Sequence, residues 1–150
     1  MNGEHQVVFA FANNIESVEV IEANPWEPIS VTSSFNGLLP NENTVNLSGV
    51  SNARYVSVAL NLVRDSTGGL GNIATYLPVL AGDSNGNGAV NLTDVSQVKS
   101  QSGATVTLQN FRADVLANGS ITASDIGFTK TRAGTRLPGV PQASTQPVSR

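Results

Sequence analysis

The feature that most constrains this chain is the twelve-residue segment from Asp83 to Asp94, in which oxygen-bearing residues alternate with small ones. A calcium ion binds six to eight oxygens, and a tightly turning loop aims alternate residues at one centre. Gly88 stands at the sixth place, where the sharp turn favours a residue without a Cβ atom. The segment predicts a calcium loop with six ligand-bearing residues: Asp83, Asn85, Asn87, Ala89 through its carbonyl, Asn91 through a water, and Asp94.

An asparagine- and glycine-rich surface turn is the alternative interpretation of this segment. A second copy favours the calcium interpretation, because the segment from Asp114 to Asp125 repeats the frame 31 residues later (114 − 83 = 31). Leu116 occupies the third place of that copy and has no side-chain oxygen. The second loop is therefore predicted to bind calcium more weakly, through four residues: Asp114, Asn118, the Ser120 carbonyl and Asp125.

The repeat continues beyond both loops. Residues 94–103 align with residues 125–134, and Asp, a β-branched apolar residue, Lys and Gly fall at the same offsets. One helix is predicted over residues 93–103 and another over residues 124–133, each ending near a glycine. Two loop-plus-helix units in one short segment indicate a paired module whose halves bury each other.

Further expectations rest on single residues around the loops. Pro78 lies where the entering helix of an ordinary EF-hand would run, and proline disrupts a helix interior. Residues 77–82 are therefore predicted to be a last strand that runs straight into the first loop. Val90 and Ile121, at equivalent loop places, are expected to pair with each other, and Phe111 is expected to anchor the core between the repeats.

With two such loops, each followed by one helix, residues 82–135 resemble a type I dockerin domain. The family pattern is D-x-N-x-D-G-x-x-N-x-x-D, and the first loop has Asn87 in place of the usual acid. The resemblance implies a small all-α domain of paired EF-hand-like repeats that binds Ca²⁺ at one tighter and one weaker site and docks to a cohesin-like protein.

The resemblance also implies where such a partner binds. In the family, recognition uses the residues just before the last loop ligand and those in the middle of each helix. Because Lys99 and Lys130 stand at the same place of the two repeats, the partner could make its main contacts with either helix. Carried over to this chain, the partner-binding residues are Leu92, Thr93, Lys99, Ser100, Ala123, Ser124, Lys130 and Thr131.

In several segments of residues 1–81, apolar and polar side chains alternate with a period of two. Strands are predicted over residues 6–12, 17–22, 29–35, 44–47, 54–63 and 73–80. The best of them, residues 54–63, places four side chains on one buried face: Val56, Val58, Leu60 and Leu62. Short strands separated by turn-rich segments indicate an all-β, immunoglobulin-like antiparallel sandwich.

The chain is thus expected to comprise three parts. These are an immunoglobulin-like β-sandwich over residues 1–81, either complete or lacking one strand at its N-terminus, a dockerin-like domain over residues 82–136, and a disordered tail over residues 137–150. The tail is rich in proline and polar residues and buries too little to offset its ordering entropy. We expect the protein to be a monomer.

Composition excludes several functions. The net charge of −3 argues against nucleic-acid binding, which needs a basic surface. No run of about 18 apolar residues is present to cross a bilayer. His5 is the only histidine and lies near the chain start, so we assign no catalytic residues and expect no enzymatic activity. Trp26, between two prolines, is interpreted as a plug at the sandwich edge rather than as a platform for a sugar.

Two functions remain. The first is a non-catalytic, calcium-binding C-terminal module of an exported bacterial protein, which docks to a cohesin-like partner and anchors an upstream domain, for instance one acting on polysaccharide. The alternative is a calcium-stapled structural cap of a surface stalk with no docking partner. Because calcium modules of this kind work outside the cell, either function predicts an extracellular or cell-surface location, with the signal peptide upstream of this chain.

Overall fold

The computed structural model describes residues 4–23 and 29–139. The elements come in the order strands, then helices. Seven strands are β1 (His5–Ala10), β2 (Ile15–Ser17), β3 (Val20–Ala23), β4 (Ser30–Asn36), β5 (Glu42–Ser48), β6 (Arg54–Asp65) and β7 (Leu70–Val79). They are followed by helix α1 (Leu92–Gln101), a single 3₁₀ turn (Phe111–Ala113) and helix α2 (Ala123–Arg132).

The strands form two antiparallel sheets. In the first sheet β5 lies between β1 and β4. In the second, β6 is central: β7 pairs along one side, while β2 and β3 pair one after the other along the opposite side. We call these strands and their turns, residues 4–23 and 29–80, the sheet region. Residues 81–139 are called the loop–helix region.

Alternate residues of the two sheets share one hydrophobic core. Val45 of β5 and Val58 and Leu60 of β6 are fully buried in it. The register of β6 against β7 shifts after Leu60, where Leu62 has a φ of 53°. Because a bulge adds one residue, it changes which of the following side chains face inward. Leu62 is 40% exposed and Val63 only 8%, so the predicted inward position of Leu62 is wrong.

The last strand leads directly into the first loop. Among the described residues β7 pairs only with β6, so Pro78 stands on an edge strand, where the missing N–H can face away from the sheet. Past the end of β7, the backbone N–H of Ala81 donates to Asn52 Oδ1 at 2.6 Å. The chain reaches Asp83 without an entering helix, as the position of Pro78 predicted.

The loop–helix region has a hydrophobic core of its own. Its buried members are Val98, Ala113, Val115 and Ile121, and Val106, Leu116, Ile126 and Phe128 pack against them. Phe111 is 54% exposed, so its predicted role as the core anchor is wrong. The 3₁₀ turn that begins with Phe111 directs Ala113 inward instead.

Each helix begins with the same reciprocal cap. At α1 the backbone N–H of Thr93 donates to the Asn91 side chain, and the Asn91 N–H donates to the carboxylate of Asp94. Thr122 and Asp125 repeat the arrangement at α2. Such caps satisfy backbone donors that have no partner inside the helix. Both helices therefore start one residue earlier than predicted, at equivalent places in the repeat.

The predicted pairing of Val90 with Ile121 is wrong. The Val90 N–H donates to the Thr135 carbonyl, and the Val90 carbonyl accepts from Gly134 N–H, both at 2.9 Å. The Ile121 carbonyl accepts from Gly103 N–H at 2.8 Å. Each loop therefore pairs with the chain that leaves the other repeat's helix, because these segments run antiparallel beside it.

The expected fold class is also wrong. It was an immunoglobulin-like sandwich followed by an all-α domain, whereas the chain consists mostly of strands in small antiparallel sheets, with two short helices. The loop–helix region is not all-α because its sharply turning loops and its connector occupy much of its length. It also contains isolated antiparallel bridges, between Ala89 and Arg136 and between Thr105 and Ser120.

Some expectations concern residues that lie outside the described ranges. They are the role of Trp26 and the part of the predicted tail from residue 140 onward. The first residues assigned to the tail are described. There the Leu137 N–H donates to the Gly88 carbonyl at 2.9 Å, so the contacts of loop one extend past the predicted boundary at residue 136.

The turn between β6 and β7 is organised by one carboxylate. Asp65 Oδ2 accepts from Asn13 Nδ2 at 2.9 Å, and Oδ1 accepts from the Thr67 N–H, the Thr67 hydroxyl and the Gly69 N–H at 2.7 to 2.9 Å. The Asn13 side chain, followed by Thr67 and Gly69, holds the pKa of Asp65 well below its usual range.

We predict that Asp65→Asn removes a pH-dependent contribution to stability. Because the folded pKa is depressed, this contribution is complete above the unfolded value of about 3.9 and is lost as the pH falls towards the folded pKa. The difference in unfolding free energy between the unaltered protein and the variant should therefore shrink between about pH 5 and pH 2. Urea unfolding over that range measures it, and a difference that is constant with pH would contradict the prediction.

Candidate metal centre

The carboxylate that closes the first loop is completely buried. Asp94 Oδ2 accepts from the Asn91 N–H at 2.9 Å, and Oδ1 accepts from the Asn85 N–H at 3.3 Å and from the Ser84 hydroxyl at 3.4 Å. A buried charge is tolerated only where polar partners or a counter-charge surround it. Asp94 therefore ties the start of the loop to the start of α1.

The carboxylate at the first place holds the turn. Asp83 Oδ1 accepts from the N–H groups of Gly86 at 2.8 Å and Asn87 at 3.1 Å, and Oδ2 accepts from the Gly88 N–H at 2.8 Å. Gly88 has a φ of 82°, which few residues other than glycine adopt without strain. Three successive N–H groups point at one side chain, so the backbone of the loop wraps around it.

The asparagines of the first loop fold back in the same way. Asn85 Oδ1 accepts from the Asn87 N–H at 3.0 Å, and Asn87 Oδ1 accepts from the Ala89 N–H at 2.9 Å. Asn91 Oδ1 caps α1 through the Thr93 N–H at 2.7 Å, which suits a contact to the ion through water rather than a direct one. The predicted ligand-bearing side chains are thus brought together within one hydrogen-bonded loop.

The second loop repeats the contacts of the first-place carboxylate. Asp114 Oδ1 accepts from the Asn118 N–H at 3.0 Å, and Oδ2 accepts from the Gly119 N–H at 2.8 Å. Asn118 Oδ1 accepts from the Ser120 N–H at 3.0 Å. These are the contacts of the first loop moved along the chain by one repeat, so both loops have the same frame.

The closing carboxylate of the second loop is equally buried. Asp125 Oδ2 accepts from the Thr122 N–H at 2.8 Å, and Oδ1 accepts from the Leu116 N–H at 3.2 Å. Leu116 therefore keeps the backbone role of the third place, while its side chain packs against the hydrophobic core. The second loop has the shape of the first, but its third place offers no side-chain oxygen.

The donor set of both loops suits a hard cation. Within residues 4–23 and 29–139, no group of three or more His, Cys, Asp or Glu side chains is placed to hold a metal ion. Each loop offers two carboxylates, and its remaining candidate ligands are amide or carbonyl oxygens and water. Oxygen-only donors in a flexible loop fit Ca²⁺ and do not fit zinc, which prefers nitrogen and sulfur.

Two residues that support the loops were not predicted. Ser84 is buried beside Asp94 and donates to its carboxylate, while Gln97 Nε2 donates to the Ser84 carbonyl at 3.4 Å. Thr129 is fully buried, and its hydroxyl donates to the Asp125 carbonyl at 2.8 Å. The sequence offered one signal for each of these residues. Ser84 is a small polar residue at the second place of the loop, and Thr129 is a threonine on the apolar side of α2.

The predicted partner-binding residues all lie on the surface. Four belong to α1, two in its first turn and two in its last turn rather than in the expected middle, and four occupy the equivalent places of α2. Leu92 is the most notable of them, because a large apolar side chain there is 78% exposed. All eight are exposed: Leu92, Thr93, Lys99, Ser100, Ala123, Ser124, Lys130 and Thr131.

The two loops with one exiting helix each form a duplicated loop–helix module. Residues 81–132 match the family model described as the Dockerin type I domain. Dockerin domains bind calcium and are non-catalytic modules that bind cohesin partners. Proteins that carry them are typically extracellular or attached to the cell surface. No curated protein and no solved structure matches the chain significantly.

Both helices in the described part of the chain are short. At ten residues each, neither has the length and apolar character that a membrane-crossing helix needs.

One backbone difference between the loops generates a prediction. Ala117 has a φ of 51°, whereas the equivalent residue of the first loop is Gly86 with a φ of 74°. An alanine in the left-handed region is strained, so Ala117→Gly should raise the unfolding free energy of the calcium-loaded protein by about 0.5–1 kcal/mol. Urea unfolding in millimolar calcium measures the change.

The control for this substitution is Ala104→Gly. Ala104 is exposed in a turn and has no positive φ, so glycine there should lower stability by about 0.4–1 kcal/mol through the entropy of the unfolded chain. A loss of stability in both variants would mean that the backbone at Ala117 is not strained.

Proposed function

We propose that this chain is a calcium-dependent docking module that binds a cohesin-like protein and anchors the polypeptide joined to it. One observation carries the proposal. Two loops 31 residues apart share the hydrogen bonds by which the first-place aspartate and the fifth-place asparagine hold the turn, and the segment that contains them matches the dockerin family model. Nothing proposed for the chain requires a catalytic group.

In this proposal the first loop is the tighter calcium site. Its ligands are Asp83, Asn85, Asn87, the Ala89 carbonyl, Asn91 through a water, and Asp94. The second site uses Asp114, Asn118, the Ser120 carbonyl and Asp125. Affinity follows the number and charge of the oxygens, so the absence of an oxygen at Leu116 makes the second site weaker.

Calcium and docking are linked through the helix starts. Asp94 is at once the last loop residue and the third residue of α1, where it accepts from the Asn91 N–H. Asp125 has the same double position in α2. Loss of the ion would leave the buried closing carboxylate of each loop without a counter-charge. Both helix starts, which carry the proposed docking residues, would then loosen.

The sheet region and the loop–helix region act as separate domains in this proposal. Each has its own hydrophobic core, and β7 leads from one to the other without a helix between them. The loop–helix region would attach to the receptor, and the sheet region would connect it to the rest of an exported protein, whose upstream part can act on polysaccharide.

A structural cap is the second candidate function, and the contacts around loop one favour it. The Leu137 N–H donates to the Gly88 carbonyl, and Ala89 forms a bridge with Arg136. Ala81 is held by Asn52 of the sheet region. Calcium at this loop would then stabilise the joint between the regions by binding only the folded state.

We predict that the unaltered chain binds calcium at two sites of unequal affinity. Asp83→Ala should weaken the tighter site by about 100-fold or more, because it removes a charged ligand and the acceptor of three loop N–H groups. Asp114→Ala is the matched variant one repeat later and should affect only the weaker site. Isothermal calorimetry on chelator-treated protein measures both. Equal effects of the two variants on one site would refute the assignment.

We also predict that capture by cohesin requires calcium. Immobilised type I cohesin domains should retain the full chain in millimolar calcium and release it in EGTA, because the docking residues lie on helices that start at the calcium loops. The Asp83→Ala variant should bind at least about tenfold more weakly. Calcium binding without capture by any cohesin domain would favour the structural cap instead.

A further inference from the structure

The repeat gives the loop–helix region two equivalent exposed faces. On α1 the face carries Leu92 and Lys99, and on α2 the same positions hold Ala123 and Lys130. Both helices have ten residues and the same cap. The repeat alone therefore gives a receptor no reason to prefer one face. The surroundings of the two faces are different.

One flank of α2 lies against the sheet region. Phe128 and Arg132, one turn apart, are in contact with each other, with the guanidinium carbon 5.0 Å from the centre of the ring. A methyl group on Gly82 would lie 3.3 Å from Arg132 Cβ, so the chain leaving the sheets passes close to this flank. Both side chains line a cavity of about 150 Å³ with residues next to or within the sheets: His5, Val50, Asn52, Val79 and Ala81.

The side-chain hydrogen bonds of the equivalent flank of α1 run to the loop–helix region. Gln97 and Gln101 stand 31 residues before Phe128 and Arg132. Gln97 Nε2 donates to the Ser84 carbonyl at 3.4 Å, and Gln101 Oε1 accepts from Asn110 Nδ2 at 3.3 Å. A receptor on α2 would therefore sit next to the cavity at the sheet region, and no residue of α1 lines that cavity.

The two faces also differ in the apolar surface that they offer. Leu92 is 78% exposed, and its counterpart Ala123 presents only one methyl group. Burial of apolar surface drives most protein association, and a leucine side chain supplies much more of it than an alanine. The face with the larger apolar residue lies on the helix whose flank takes no part in the cavity beside the sheets.

We propose that the cohesin-like receptor docks with α1 leading, over Leu92, Thr93, Lys99 and Ser100, and that the sheet region disfavours docking through α2. This inference rests on the proposed docking function. Steric exclusion beside α2 and the larger apolar anchor on α1 both favour docking through α1. The sheet region thereby selects one of two faces that the repeat made alike.

The test uses matched charge reversals in the full chain. One variant carries L92E and K99E, and the other carries A123E and K130E. Each pair changes the same two repeat positions by the same total charge. Affinity for the immobilised type I cohesin domain that best captures the unaltered chain is measured in calcium. The melting temperature of each variant in calcium confirms that it is folded.

The expected result is a loss of affinity of about tenfold or more for the α1 variant and less than about threefold for the α2 variant. Equal losses, or a larger loss for the α2 variant, would overturn the preference for α1 while leaving the docking function intact. Failure of every cohesin domain to bind the unaltered chain would overturn both the docking function and this inference.

A second measurement needs no substitution. Lys99 and Lys130 are the only two lysines of the chain, and both are exposed at the same repeat position. Acetylation with and without the bound cohesin domain, followed by mass spectrometry, compares the two faces within one molecule. Docking through α1 should slow acetylation of Lys99 about tenfold and of Lys130 less than about threefold. Preferential protection of Lys130 would overturn the proposal.

Discussion

The closing carboxylates of the two loops are the constraint on which the loop–helix region depends. Asp94 and Asp125 are fully buried, and each accepts hydrogen bonds both from the start of its loop and from the start of its helix. A buried carboxylate that loses one of these donors carries an uncompensated charge at high energetic cost. Loop closure and helix initiation are therefore coupled in each repeat, and in the proposed calcium sites the ion supplies the remaining compensation.

A comparison of the two loops shows that the hydrogen-bonded backbone of such a loop can be kept where one candidate ligand is missing. Leu116 donates its backbone N–H to the closing carboxylate as the first loop's Asn85 does, but its side chain packs against the core instead of facing an ion. Ala117 keeps a left-handed backbone where the first loop has glycine. The second loop therefore keeps its shape through contacts that involve no metal. Hydrogen-bond geometry alone is thus insufficient to rank the affinity of such loops, and the third-place side chain decides it.

Local patterns in the sequence were sufficient to predict the loops, both helices and five of the six strand segments, because ligand spacing and side-chain period are properties of neighbouring residues. The one strand predicted over residues 17–22 is instead the end of β2 and the start of β3. The errors concern contacts between remote segments. Leu62 turns outward at a bulge whose register depends on β7, and Phe111 is exposed because Ala113 and Val115 take the interior places. Val90 pairs with the chain after α2, which no local period encodes. The all-α class failed for the same reason, since bridges between distant segments complete the loop–helix region.

Loop one is one place where the two regions meet, and the flank of α2 is another. β7 enters it directly, with Ala81 held by Asn52, and the Leu137 N–H returns to its Gly88 carbonyl. Arg112 covers it from the connector, since a methyl group on Gly86 would lie 2.6 Å from the guanidinium. A force transmitted from a docked receptor to the sheet region must pass through this loop, because β7 has no other continuation. A calcium site is well suited to that position, because several strong ligand bonds and the turn they hold have to break together before the joint yields. The less demanding second loop, which carries no such junction, can dispense with one of its oxygens.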